Sequence, residues 1–274
     1  MKAILKVITM MVLFISGMCH AAEADNHLVR LAIVIAPAES GFIRFLTHDF
    51  QKQTGYQLQI ISSTTPYQLA QTGKADAVIS HFGKQELPAF VLNGYGSWPK
   101  MVFATQSVLI GPQSNPADVQ SENSMSDAMY RIANTKQYFV DNELDEVSKL
   151  TELFWLQAGA PKKEGWFVHD NLKKDLAAEL ADVLDGYYIW GAYPFLAYKQ
   201  QTHTSQSILV ATDPHLQRIM SISLVNSDKI PGVNVQGAQA LEDYLLQPSV
   251  QATIHKFRIN GSTLQLFWAE ATNN

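Results

Sequence analysis

Val29-Arg30-Leu31-Ala32-Ile33-Val34-Ile35 is a nearly unbroken apolar, β-branched run. It fits a strand covered on both faces, as in a parallel sheet. Phe42, Phe45, Leu46 and Phe50 then repeat at helical spacing, Ser40 stands where a cap belongs, and Gly55 supplies a stop. Tyr56 to Ile61 alternates as a strand does, Tyr67 to Thr72 is a short helix ending at Gly73, and Ala77-Val78-Ile79 is a third strand. The order is strand, helix, strand, helix, strand, with right-handed crossovers expected. The loops Ala36–Gly41 and Ser62–Pro66 open the two helices. In a parallel sheet such loops lie together at the strands' carboxyl ends, where helix N-termini offer unpaired N–H groups and a positive dipole end.

The alternation continues. Helices are predicted over Glu86–Leu92, Ser126–Asn134, Ser148–Ala158, Leu172–Leu184, Gly237–Leu246 and Ser249–Phe257. Strands are predicted over Ser107–Ile110, Gly186–Trp190, Ile208–Thr212 and Met220–Asn226, and a polar loop over Gln113–Ser126. This is an α/β chain. Its two ends are expected to share one lobe (25–106 and 208–274), with 107–207 inserted as a second.

The start of the chain changes the picture of where it works. Lys2 and Lys6 precede an apolar run from Val7 to Met18, followed by the small residues Ala21, Ala22 and Ala24. This is the pattern of a secretory signal peptide, placed over residues 1–24, and the run is shorter than the roughly 20 residues of a membrane span. Cys19, the single cysteine, would leave with it, so the exported part has no thiol chemistry and must be stable on its core alone. Cleavage after Ala21 leaves 18 basic and 25 acidic residues, a net charge of −7. That argues against nucleic acid, whose binders are basic.

Several stretches resemble known sequences. Asp49-Phe50-Gln51-Lys52-Gln53-Thr54-Gly55-Tyr56-Gln57-Leu58 is similar to the first helix and second strand of periplasmic solute-binding proteins. Gly73–His81, Phe90–Gly96, Val108–Ala117, Pro231–Ala238 and Leu245–Gln251 resemble the tungstate-binding proteins of ABC importers. The resemblance implies a two-lobed type II periplasmic-binding-protein-like fold, each lobe a mostly parallel sheet flanked by helices, with the ligand in the cleft. It also shows differences. The family's first loop is Thr/Ser-rich and ends Asp-Ser-Gly; here Val34–Ala38 lacks the hydroxyls and only Glu39-Ser40-Gly41 remains. Its Gly-Thr-Gly turn is replaced by Ser62-Ser63-Thr64. Its Ser-Arg-Gly-Asp segment falls near Val140–Val147, which puts Asp141 where the arginine would be, and a later Asp-Arg pair falls on Gly191-Ala192. An oxyanion held by charge-assisted hydrogen bonds loses several kcal/mol when arginine becomes aspartate, even at an effective dielectric near 20.

The expected ligand-binding residues are therefore Glu39, Ser40, Ser63, Thr64, Asp141, Asn142, Trp190 and Arg218. Each has a plainer reading. The hydroxyls cap helices. Asp141, Glu143, Asp145 and Glu146 form either a cation site or a solvated acidic helix start. The aromatic run from Tyr187 to Phe195 is either a cleft wall or inter-lobe packing. Arg218 either compensates for the lost arginine or is a surface residue. No histidine pair has metal spacing, and no nucleophile elbow or phosphate loop is present in the sequence. The expected function is a periplasmic solute-binding protein of an ABC importer with an altered ligand site, monomeric, without cofactor, metal or enzymatic activity. The alternative is a ligand sensor or interaction protein serving a membrane partner.

Overall fold

The computed structural model describes residues 27–120, 124–259 and 262–269. The expected leader and Cys19 lie outside the described residues. β1 (Leu28–Ile33) runs parallel to β2 (Gln57–Ser62) on one side and to β3 (Ala77–His81) on the other. β1 is covered on both faces, as its apolar run predicts. Leu31 and Ile33 join a core with Phe42, Ile43 and Phe50, while Ala32 joins another with Tyr67, Ala70 and Phe90.

The connecting helices are shorter than predicted. α1 (Ile35–Glu39) occupies most of the expected first loop, and Gly41, at φ +82°, turns the chain into α2 (Phe42–Leu46). The helix expected from Phe42 to Gly55 breaks at Thr47 and resumes as α3 (Phe50–Thr54). The Thr47 hydroxyl donates to the Ile43 carbonyl at 2.7 Å, a local bond that competes with helix continuation. α4 (Pro66–Gln71) and α5 (Glu86–Leu92) follow β2 and β3.

β4 (Lys100–Gly111) is three times the length read from sequence. After it come α6 (Met125–Asn134), β5 (Phe139–Val140), α7 (Asp145–Gln157), β6 (Phe167–Val168), α8 (Asp175–Val183), β7 (Tyr188–Gly191), α9 (Ala192–Thr202) and β8 (Ser207–Val210). β9 (Gln217–Leu224), α10 (Val235–Leu245), α11 (Pro248–Gln251) and β10 (Phe267–Ala269) complete the described elements. The helix predicted over Ser249–Phe257 is α11 plus a 3₁₀ turn at Ile254–Lys256. β10 was not predicted; it is held by Phe267, which stacks on Phe42 with ring centroids 3.7 Å apart.

The sheet is mixed, and here the expectation of mostly parallel sheets is corrected. The order is β10-β4-β9-β3-β1-β2, and β9 is antiparallel to both β3 and β4. β4 changes partners midway: Lys100–Gln106 pairs with β9, whereas Ser107–Gly111 pairs with β7 and β8. One long strand thus links two groups of elements, and the segment from Ala211 into β9 makes the return. The Gln106 side-chain amide donates to the carbonyls of Ser107 (2.8 Å) and Ala211 (2.9 Å), strapping the outgoing strand to the returning one.

Candidate ligand-binding cleft

The carboxyl ends of β1, β2 and β3, the middle of β4, the start of β9 and the N-terminal ends of α7, α8 and α9 enclose a cleft of about 650 Å³. The polar break Thr105-Gln106-Ser107 forms part of its floor. The Ser107 hydroxyl, the Gln106 Oε1 and the His81 Nδ1 are buried there without hydrogen-bond partners among the described residues. Buried polar atoms are seldom left unpaired in folded proteins.

Charge enters from several elements. Arg218, on β9 opposite Thr105, lies within 2.8 Å of the Glu146 carboxylate on α7, so one ion pair crosses the cleft. Lys84 donates through Nζ to the Thr64 carbonyl at 3.2 Å, and Lys174 and Asp175 stand at the start of α8. Burial holds the His81 pKa well below its ordinary value, and the charges of Arg218 and Lys84 push it the same way, so His81 is neutral at pH 7. Burial also raises the Tyr193 pKa, with the charge of Glu39 acting in the same sense.

Five of the eight predicted ligand residues line the cleft: Glu39, Ser63, Thr64, Trp190 and Arg218. Glu39 accepts from the Ser62 hydroxyl at 3.3 Å, and the Ser63 hydroxyl accepts from the Thr65 amide at 3.0 Å. Trp190 is 4% exposed and packs edge-on against Tyr198. The other three are placed elsewhere. Ser40 is not a cleft residue; it ends α1, and its hydroxyl accepts from the Phe42 amide at 3.3 Å in the turn into α2, whose N-cap position is Gly41. Asp141 is buried away from the cleft, where it accepts from the Ser148 hydroxyl at 3.0 Å and lies 3.2 Å from His169 Nδ1. Asn142 is fully buried and accepts from the Lys174 amide at 3.0 Å. The reason is common to both: β5 ends at Val140, and the next residues turn inward to fasten the segments after β6 and before α8.

The acidic stretch therefore divides. Asp141 and Glu143 hold His169, Glu143 at 3.5 Å, while Glu146 reaches the cleft. Among the described residues no group of three or more His, Cys, Asp or Glu could hold a metal ion. The aromatic run divides as well. Tyr187 and Tyr188 are core residues with no exposure, whereas Trp190, Tyr193 and Pro194 form one wall of the cleft.

The helix-start expectation needs correction. α1 and α4 are five and six residues long, and Pro37 and Pro66 each remove an N–H from their first turns. The longer helices that begin at the cleft are α7, α8 and α9, and none is capped by its N-cap side chain. His81, Lys84, Thr105, Ser107, Lys174 and Asp175 were missed by sequence reasoning. For Thr105-Gln106-Ser107 a signal existed: a three-residue polar interruption inside an otherwise apolar strand.

No family model matches the chain. The tungstate-binding protein TupA of Peptoclostridium acidaminophilum is 26% identical over 94% of this chain and 94% of its own length. A Haloferax volcanii protein provisionally named as an ABC transporter anion-binding protein is 26% identical over 93% of this chain and 76% of its own. The solved structure of the tungstate-binding protein TupA from Desulfovibrio alaskensis G20 superposes with a TM-score of 0.75 at 24% identity, covering 89% of this chain and 99% of that one. The chain is similar to a tungstate-binding protein over nearly its whole length. Its fold is that of the type II periplasmic binding proteins. In this chain positive charge reaches the cleft from β9 and from the segment after β3, and Asp141 serves packing. Among the described residues no helix is long and apolar enough to cross a membrane.

Proposed function

We propose that this chain is the periplasmic solute-binding component of an ABC importer and that it holds a small anion between Arg218 and Lys84 on one side and the starts of α7, α8 and α9 on the other. The names of its relatives support the transport role. The observation that carries the anion reading is Arg218: its side chain, 15% exposed, lines the same cleft as the unpaired buried hydroxyl of Ser107. Guanidinium and hydroxyl donors lining one concave site match what an anion requires. The leader assigned to residues 1–24 fits delivery to the periplasm. Binding is the proposed activity, and Ser148 and His169 serve packing through their shared contacts with Asp141.

Titration calorimetry with tungstate, molybdate, phosphate and simple carboxylates tests the reading. At least one anion is expected to bind wild-type protein and to lose that binding in Arg218→Gln. Absence of binding by every anion would remove the proposal.

A further inference from the structure

Three observations bear on which anion fits. The first is size. A tetrahedral oxyanion has five heavy atoms and fills the space of a few waters, each about 30 Å³. The cleft, at about 650 Å³, is in the range of sites that enclose whole organic ligands.

The second is charge. Lys84, Lys174 and Arg218 are matched there by Glu39, Glu146 and Asp175, and His81 is neutral. Arg218 already has a carboxylate partner at 2.8 Å. A dianion stripped of water would face a cleft with no net positive charge to compensate it. A single negative charge can still meet Lys84, whose own carboxylate neighbour Glu86 stands 3.8 Å away, the unpaired hydroxyl of Ser107 and the starts of α7 to α9, which no N-cap side chain caps.

The third is the opposite wall. Ile35 from α1 and Tyr193, Pro194 and Ala197 from α9 add apolar and aromatic side chains to the lining, with the nearly buried Trp190 behind them. A bare oxyanion gains nothing from such a surface, while an organic body gains about 25 cal/mol for each Å² it buries.

We infer that the cleft binds a monoanionic organic acid, its carboxylate toward Arg218, Lys84 and Ser107 and its apolar body against Tyr193 and Pro194. The inference rests on the solute-binding reading above and narrows its ligand. The acid is defined by one negative end and a hydrocarbon or aromatic remainder.

The test is titration calorimetry of the purified protein with 3-phenylpropionate and hexanoate, set against acetate (head alone), 3-phenylpropanol (body alone, uncharged) and tungstate. Both longer acids are expected to bind at least tenfold tighter than acetate, phenylpropanol or tungstate. Tyr193→Ala should weaken the two longer acids at least fivefold and leave acetate unchanged. Arg218→Gln should weaken the longer acids at least tenfold, with thermal melting confirming that both variants fold. Tighter binding of tungstate or acetate than of the longer acids overturns the inference and leaves the solute-binding reading standing. Equal binding of phenylpropanol and phenylpropionate overturns it through the charge. Binding of no anion overturns both.

Discussion

Asp141 and Arg218 exchange significance when the chain folds. In sequence, the resemblance to tungstate-binding proteins implies Asp141 about where an arginine would be, and on that reading the charge of the site is reversed. In space, Asp141 holds Ser148 and His169, and Arg218 enters the cleft from a strand more than seventy positions later. Glu146 then decides how much of that positive charge a ligand can use. Glu146→Gln removes the competing carboxylate, so tungstate and molybdate affinity is expected to rise about tenfold, or about 1.4 kcal/mol. Calorimetry on wild type and variant measures it, and an unchanged affinity would show that the ion pair does not compete. His81 gives a second prediction at this scale. Its folded-state pKa is depressed, so below about pH 6.5 the unfolded chain takes up a proton that the folded chain refuses. Stability should therefore fall with acidification from that point. His81→Gln should lose about 1 kcal/mol less than wild type between pH 7.5 and 5.5, read from urea midpoints at both values.

Elements were legible where their pattern is local and lost where tertiary contacts set it. β1, α5 and α10 follow from apolar period and punctuation. α9 did not, because Tyr193 and Phe195 read as part of an aromatic run, and Pro194 obscures a helix that in fact tolerates it in its first turn. β5, β6 and β10 are two or three residues long and exist only because a neighbour pairs with them. The element that fastens the first sheet is also a tertiary one. Asp76, 1% exposed, accepts three bonds from Arg30 of β1, from the backbone N–H to Oδ2 at 2.7 Å, Nε to Oδ2 at 3.0 Å and Nη2 to Oδ1 at 2.5 Å, and one from the Asn234 backbone amide ahead of α10 at 2.9 Å. Asp76→Ala strands a partly buried guanidinium and an amide together. It should cost about 3 kcal/mol, measured by urea denaturation; a loss below about 0.5 kcal/mol would mean that the cluster is dispensable.

For the molecule as a whole, the sequence indicated the α/β class and the type II likeness, and the location of the cleft at strand ends and helix starts. It did not show which residues connect the two groups of elements, because the crossing lies inside β4 with no glycine or proline to mark it. Its marker is chemical: Thr105-Gln106-Ser107 interrupts an apolar strand at the point where β4 leaves β9 for β7 and β8. In a protein that opens and closes on a ligand, the residues linking its halves absorb the motion, and Gln106 is placed to restrain them. Its side chain bridges Ser107 and Ala211, one on each crossing segment, while its Oε1 is left unpaired. Each bridging bond contributes about 1 kcal/mol, so Gln106→Ala should open this junction more often without disturbing β1 to β3. Hydrogen exchange is expected to quicken about fivefold for amides of residues 104–109 and 211–217, with those of β1 and β3 unchanged. Equal exchange at the junction in both proteins would mean that Gln106 does not restrain it, and uniform acceleration across the chain would mean that the variant is merely less stable.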